Sequence, residues 1–171
     1  MANTYTLISS VTVGSGGAAN IEFTSIPATY TDLVVKLSGR STASDLSDNL
    51  NFRINNNTSS VYSERLLYGT GSAVGSATYS GTESLLQHQN ANTSTSNTFA
   101  NIEFYFPNYT SSNNKSISVE NVTENNGTYA VARLNAILFS NTSVISSLLF
   151  YPNTGNFMQY STAYLYGISN A

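Results

Sequence analysis

A chain of 171 residues with a formal net charge of −3 and no cysteine is long enough to bury a sizeable core without staples, and it excludes disulfides and thiolate metal centres together. Only 9% of its residues are charged, while Ser, Asn and Thr supply 69 of them, against about 25% charged in ordinary domains. With six scattered Lys and Arg, the electrostatic footprint of a nucleic-acid binder is missing. No apolar run approaches the ~20 residues of a membrane span. The opening MANTYTLISS lacks the basic and apolar regions of a secretory leader, so a soluble chain starting near Met1 is expected. Hydrophobic and aromatic contents of 40% and 12% are enough to disfavour disorder.

Residues 5–13 alternate loosely and predict a first strand, with the glycine-rich residues 14–17 as a hairpin-type connection into residues 21–24. The stretch 21–41, IEFTSIPATYTDLVVKLSGRS, carries the strongest pattern of the N-terminal half. Ile21 and Phe23 alternate with Glu22 and Thr24. Leu33, Val35 and Leu37 then share one strand face, with Val34 and Lys36 on the other. Pro27 cannot donate to a ladder, so the chain must turn near it. The turn at 26–31 joins two antiparallel strands, or crosses between two sheets if the fold is a jelly roll; Pro27 and Tyr30 are expected to fix it.

Residues 41–49 read as a polar loop, and Leu50, Phe52 and Ile54 as a half-buried strand closed by Asn55, Asn56 and Asn57. Residues 61–68, VYSERLLY, suit a helical turn by spacing and a strand by composition; a strand or short irregular segment is preferred. Residues 69–81, with four glycines, predict a long loop or weak edge strand. Residues 83–89 predict a short strand with Leu85 inward, and the polar residues 90–97 an exposed loop. Residues 99–106 place Ile102, Phe104 and Phe106 on one face. Ile117, Val119 and Val122 form the next strand, and Asn126-Gly127 gives a hairpin signal. Residues 129–139 return with Val131, Leu134, Ile137 and Phe139, where Ala130, Ala132 and Ala136 leave room for close packing. Residues 144–151 and 163–168, separated by a turn at 152–156, supply the last strands.

The sum is one domain over residues 1–171: an all-β, antiparallel β-sandwich, jelly-roll-like, with about ten short strands. No constant-period repeat points to a solenoid or propeller.

Chemistry is sparse. His88 is the only histidine, so a general-base role needs partners that sequence does not place. Ser112-Asn113-Asn114-Lys115 has S-x-x-K spacing but sits in a polar turn without companion motifs. Gly69, Gly71 and Gly75 miss the dinucleotide fingerprint by one residue. Asp45 and Asp48, beside Asn49, offer hard oxygen ligands to Ca²⁺, and read more simply as solvated or turn-capping residues, since about five to seven ligands would have to converge. Glu22, Glu103 and Glu120 are the acids available for a glycosidase-type pair, and read more simply as outer-face strand residues. Eight Asn-x-Ser/Thr triplets compare with about six expected from composition. The reading is therefore not an enzyme, with no cofactor and no metal. Twelve tyrosines against no tryptophan are more suggestive, since Tyr with Ser, Gly and Asn is a binding palette. Tyr62, Tyr105, Tyr129, Tyr151 and Tyr166 read as strand formers. Tyr79, Tyr109 and Tyr160, next to polar loops, are the candidate contact surface.

Two segments carry a resemblance. Ile26-Pro27-Ala28-Thr29-Tyr30-Thr31-Asp32-Leu33, followed by a strand ending in Arg40-Ser41, resembles small structural proteins of tailed bacteriophages; Ala163-Tyr164-Leu165-Tyr166-Gly167-Ile168 is similar to the same group's final strand. These segments cover roughly a quarter of the chain. The resemblance implies a jelly-roll-like virion component displayed in many copies, without supplying a catalytic site. The expectation is a capsid decoration protein that binds the outer face of the major capsid protein and forms a homo-oligomer, with no nucleic-acid or membrane partner. The alternative is a tail-fibre or appendage module that recognises a host surface glycan.

Overall fold

The computed structural model describes residues 4–127 and 129–169. Residues 1–3 of the opening segment, and Thr128 of the Asn126-Gly127-Thr128 triplet, lie outside the described residues. Among the described residues twelve strands form: β1 (Tyr5–Thr12), β2 (Ile21–Phe23), β3 (Asp32–Gly39), β4 (Ser47–Ile54), β5 (Tyr62–Gly69), β6 (Val74–Gly81), β7 (Ser84–Asn90), β8 (Ala100–Phe106), β9 (Lys115–Val122), β10 (Ala132–Phe139), β11 (Leu148–Pro152) and β12 (Thr162–Ile168). They build a sandwich of an eight-stranded sheet, β1-β12-β3-β8-β9-β10-β5-β6, and a four-stranded sheet, β2-β11-β4-β7. Every strand pairing is antiparallel.

The expected alternation decides the core. Leu33, Val35 and Leu37 of β3 and Ile102, Phe104 and Phe106 of β8 face the small sheet and are buried. Phe52 of β4 meets them from the other side, its ring centroid 5.2 Å from Phe104, 6.1 Å from Phe106 and 5.9 Å from Phe150. The pairs with Phe104 and Phe106 are edge-on, an arrangement that adds about 0.5–1.5 kcal/mol each beyond the area buried. Val34, on the opposite face of β3, is also buried, flanked across the ladder by Tyr105 and Tyr166.

Several expectations are corrected. The turn at 26–31 does not close a hairpin: β2 pairs with β11 in the small sheet, and β3 with β12 and β8 in the large one. It is a crossing between sheets. The Tyr109 hydroxyl fixes it, donating to the Pro27 carbonyl and accepting from the Tyr30 amide at 3.3 Å. Tyr30 lies where a Cβ on Gly167 would be, 2.3 Å from its ring, so the 26–31 crossing packs on the final strand β12. Residues 14–17 join no hairpin either, because β1 pairs with β12. Chain neighbours separate here because only β5–β6, β8–β9 and β9–β10 stay within one sheet. Residues 61–68 take the preferred reading, a strand, with Glu64 inward. Residues 69–81 split into a turn, closed by the Thr70 amide donating to the Ala73 carbonyl at 2.9 Å, and the edge strand β6. The β9–β10 hairpin closes through a wider loop than an Asn-Gly turn, with the Thr123 amide donating to the Val131 carbonyl. Residues 90–97 are not an exposed loop throughout, since Asn90, Ala91 and Ser94 are buried.

Candidate functional site

The residues singled out from sequence separate in the structure. Tyr160 is exposed (68%), Tyr79 is half-buried, and Tyr109 is fully buried. Tyr109 is therefore no contact residue: its ring fills the core, and its hydroxyl serves the crossing. Tyr79 turns inward and covers Gly81, where a Cβ would lie 2.0 Å from the phenol oxygen. Only Tyr160 presents its ring.

The chemical candidates resolve into structural roles. Lys115 is buried, and its ammonium donates to the carbonyls of Ser111 at 2.7 Å and Asn113 at 2.5 Å. It closes the turn in which Ser112 sits rather than aiming at that hydroxyl. Asp45 accepts from the Leu46 amide, and Asp48 from the Thr154 amide at 3.2 Å; burial raises the Asp48 carboxyl above its usual range. Among the described residues, no group of three or more His, Cys, Asp or Glu side chains converges. Gly69 and Gly75 pair with Val74 and Tyr68 across the β5–β6 ladder. Glu22 accepts from Asn56. Register does bring two of the acids together, as Glu103 stands directly opposite Glu120 on the outer face of the large sheet. Lys36 holds Glu103 at 2.5 Å.

His88 belongs to an unusual joint between the sheets. The free edge of β7 faces polar side chains from the large sheet rather than apolar ones. Glu64 accepts from the amides of Leu85 at 2.7 Å and Leu86 at 3.2 Å. Arg133 donates to the Leu86 carbonyl at 2.8 Å. Asn121 accepts from the His88 amide and donates to the His88 carbonyl, both at 2.7 Å. These side chains replace the missing neighbour strand, satisfying backbone groups that would be costly to bury unpaired. The His88 Nδ1 faces Arg133 Nη2 at 3.0 Å. Burial, and then the Arg133 charge, lower its pKa to about 3, so the ring is neutral and accepts from the guanidinium.

Two surfaces remain that present chemistry outward. The first is the outer face over β9, β10, β5 and β6. Val122, Ala132, Gly69 and Val74 form one ladder row, and Glu120, Leu134, Leu67 and Ser76 the next. Val74 is 90% exposed and Leu67 63%, with Leu134 and Val122 also open to solvent. The small residues Gly69 and Ala132 leave an open groove of about 780 Å³ beside the Leu67–Leu134 ridge. A second hollow of about 460 Å³ follows on the ridge's other side, over Ala136 and Thr78. Ala132 and Ala136 thus leave room on the outer face, not in the core. Sequence reasoning grouped Val122 and Leu134 with core residues. Their even positions, against the odd Ile117, Val119, Ile137 and Phe139, carry the signal that they point the other way.

The second surface lies at Arg40, the residue after β3. Arg40 is buried and donates to the carbonyls of Thr95, Thr98, Asn92 and Ser94 at 2.7–3.3 Å. One guanidinium therefore shapes the whole 91–99 loop. Beside it a hollow of about 260 Å³ is lined by Asn92, Asn97, Phe99, Met158 and Tyr160. Tyr160 has φ 72°, the left-handed region that bulky residues avoid. Its amide donates to the Val13 carbonyl at 2.9 Å, and the Ser161 amide to the Met158 carbonyl at 3.1 Å, which holds the ring outward. No protein-family model matches this chain, and neither does any curated protein.

Proposed function

We propose that the protein is a non-enzymatic virion component, a decoration module that seats its large outer sheet face on the major capsid protein of a tailed phage and reinforces the shell. The apolar, grooved face around Leu67, Val74, Val122 and Leu134 carries the reading, because contiguous apolar surface on a folded chain marks protein–protein contact. Strand order supports it in part. The small sheet β2-β11-β4-β7 and the strands β3, β8, β5 and β6 alternate between layers as two wrapped Greek keys do. In this reading the fold is a jelly roll with β9 and β10 inserted and β1 and β12 added, an architecture common in capsid and lectin domains. The resemblance in residues 26–33 and 163–168 points the same way. Cryo-EM of particles is expected to show the chain over the capsid lattice, and Leu134→Glu is expected to abolish binding to bare shells. Density confined to the tail, or full binding by Leu134→Glu, overturns the proposal.

A second reading is favoured by Tyr160. An exposed aromatic ring held in a strained turn, beside Asn92 and Asn97, offers a sugar both a stacking face and amide hydrogen bonds. The protein would then be a glycan-recognising appendage. Specific glycan-array binding that is lost in Tyr160→Ala would favour it over the decoration role.

A further inference from the structure

A two-sheet sandwich has four edges, and three of them are blunted. Edge strand β2 has only three residues. Edge strand β1 carries a bulge between Leu7 and Ser9. The free edge of β7 is covered by Glu64, Arg133 and Asn121. Short length, bulges and covering are ways in which folded chains prevent edge-to-edge pairing. The fourth edge, β6, has none of them. It runs unbroken from Val74 to Gly81 against β5 and contains no Pro, no Lys and no other charged residue. Among the described residues, no group bonds to the backbone of residues 75–81 beyond the β5 ladder.

We propose that β6 pairs with β6 of a second copy, antiparallel about a two-fold axis normal to the sheet, joining two large sheets into one. The occupant is argued from the strand itself. Directly opposed residues of an antiparallel pair point to the same face, which requires an in-register centre on one residue. Centred on Ala77, the pairing sets Ser76 opposite Thr78, Gly75 opposite Tyr79 and Val74 opposite Ser80. It uses nearly the whole strand and opposes no like charges. Gly75 brings no side chain against the facing Tyr79, and the Tyr68 hydroxyl already covers the glycine within its own chain. The outer grooves of both copies then fall on one side and run on into each other, giving a multi-copy component a double docking face. The pairing uses the edge and not the face, so it stands whether or not the outer face meets a capsid.

Sedimentation equilibrium of the intact protein at micromolar concentrations tests this. Wild type is expected at twice the chain mass of 18.3 kDa. In Ser76→Glu/Thr78→Glu the new carboxylates oppose each other across the axis, and the mass is expected to fall to one chain with an unchanged far-UV spectrum. Both positions are exposed, and position 78 faces Arg65 within the chain, so folding is retained. Ser76→Lys/Thr78→Glu opposes unlike charges twice and is expected to restore the dimer. Monomeric wild type, an undiminished dimer in the Glu/Glu variant, or a folded but monomeric Lys/Glu variant each overturns the pairing.

Discussion

Arg40 is one of six cations in the chain, and burial makes its guanidinium costly to keep charged. No carboxylate pairs with it among the described residues; carbonyl oxygens of the 91–99 loop do the solvating instead. A planar group with five donors suits this task, whereas an ammonium reaches fewer acceptors. Arg40→Ala is expected to lower unfolding free energy by about 3 kcal/mol, since hydrogen bonds to charged groups are worth about 1.5–3 kcal/mol each and the loop partly rehydrates. Arg40→Lys should recover less than half of that loss. Urea titration measures both, and hydrogen exchange should show residues 91–99 opening in Arg40→Ala while β8 stays protected. Equal stability of Arg40→Ala and wild type would remove Arg40 as the organiser of the loop beside Tyr160.

Among the elements, β8 and β9 carry a local conflict. Glu103 and Glu120 stand directly opposite on the outer face, and like charges so placed are destabilising by a few tenths to about 1 kcal/mol. Lys36 relieves one of them. Glu120→Lys is expected to stabilise the fold by about 0.5 kcal/mol through a new cross-strand pair, read as a higher urea midpoint at low salt and a smaller gain at high salt. A lowered midpoint would mean that Glu120 has a partner worth more than the repulsion. The strands with one dry face were legible from alternation alone: Ile102, Phe104 and Phe106, or Leu50, Phe52 and Ile54, admit one reading. β5 was ambiguous because Glu64 breaks the apolar row to serve β7. β6 was legible only as one of two alternatives, a loop or a weak edge strand, because a strand rich in Gly and Ser has little apolar alternation to show. β7 hid its inner face behind Gln87 and Gln89, both buried, since its neighbours are polar side chains from β5, β9 and β10. Tyr109 looked like a loop residue because the ring that fixes the crossing at 26–31 lies some eighty residues away in sequence. The candidate surfaces were legible only as parity at Val122 and Leu134, and as an exposed ring at Tyr160.

At the scale of the whole molecule, pH acts through opposed groups. The folded pKa of His88 is depressed from 6.5 to about 3, so the unfolded chain binds the proton first. This contribution to stability is present above pH 6.5 and is lost as pH falls from there through about 3. Burial raises the Glu64 and Asp48 carboxyls; their contribution is present below the ordinary carboxylate range and is lost as pH rises through their folded values. His88→Gln is therefore expected to flatten the fall in urea midpoint between pH 6.5 and 4, and in wild type the single imidazole resonance should stay neutral across that window. An imidazole that titrates near 6.5 in the folded protein would show that Arg133 and burial do not hold it neutral. Ionic strength should matter little, because two ion pairs are found among the described residues.

Strand β12 lies between β1 and β3, with Tyr5 facing Ile168 and Leu33 facing Gly167. During synthesis both of those early strands must therefore wait, exposed, for a segment translated more than a hundred residues later. Non-local pairings of this kind slow folding. A transcript interrupted before Thr162 would yield a polypeptide with two long adhesive borders and no seam to close them, a nucleus for aggregation instead of a functional fragment.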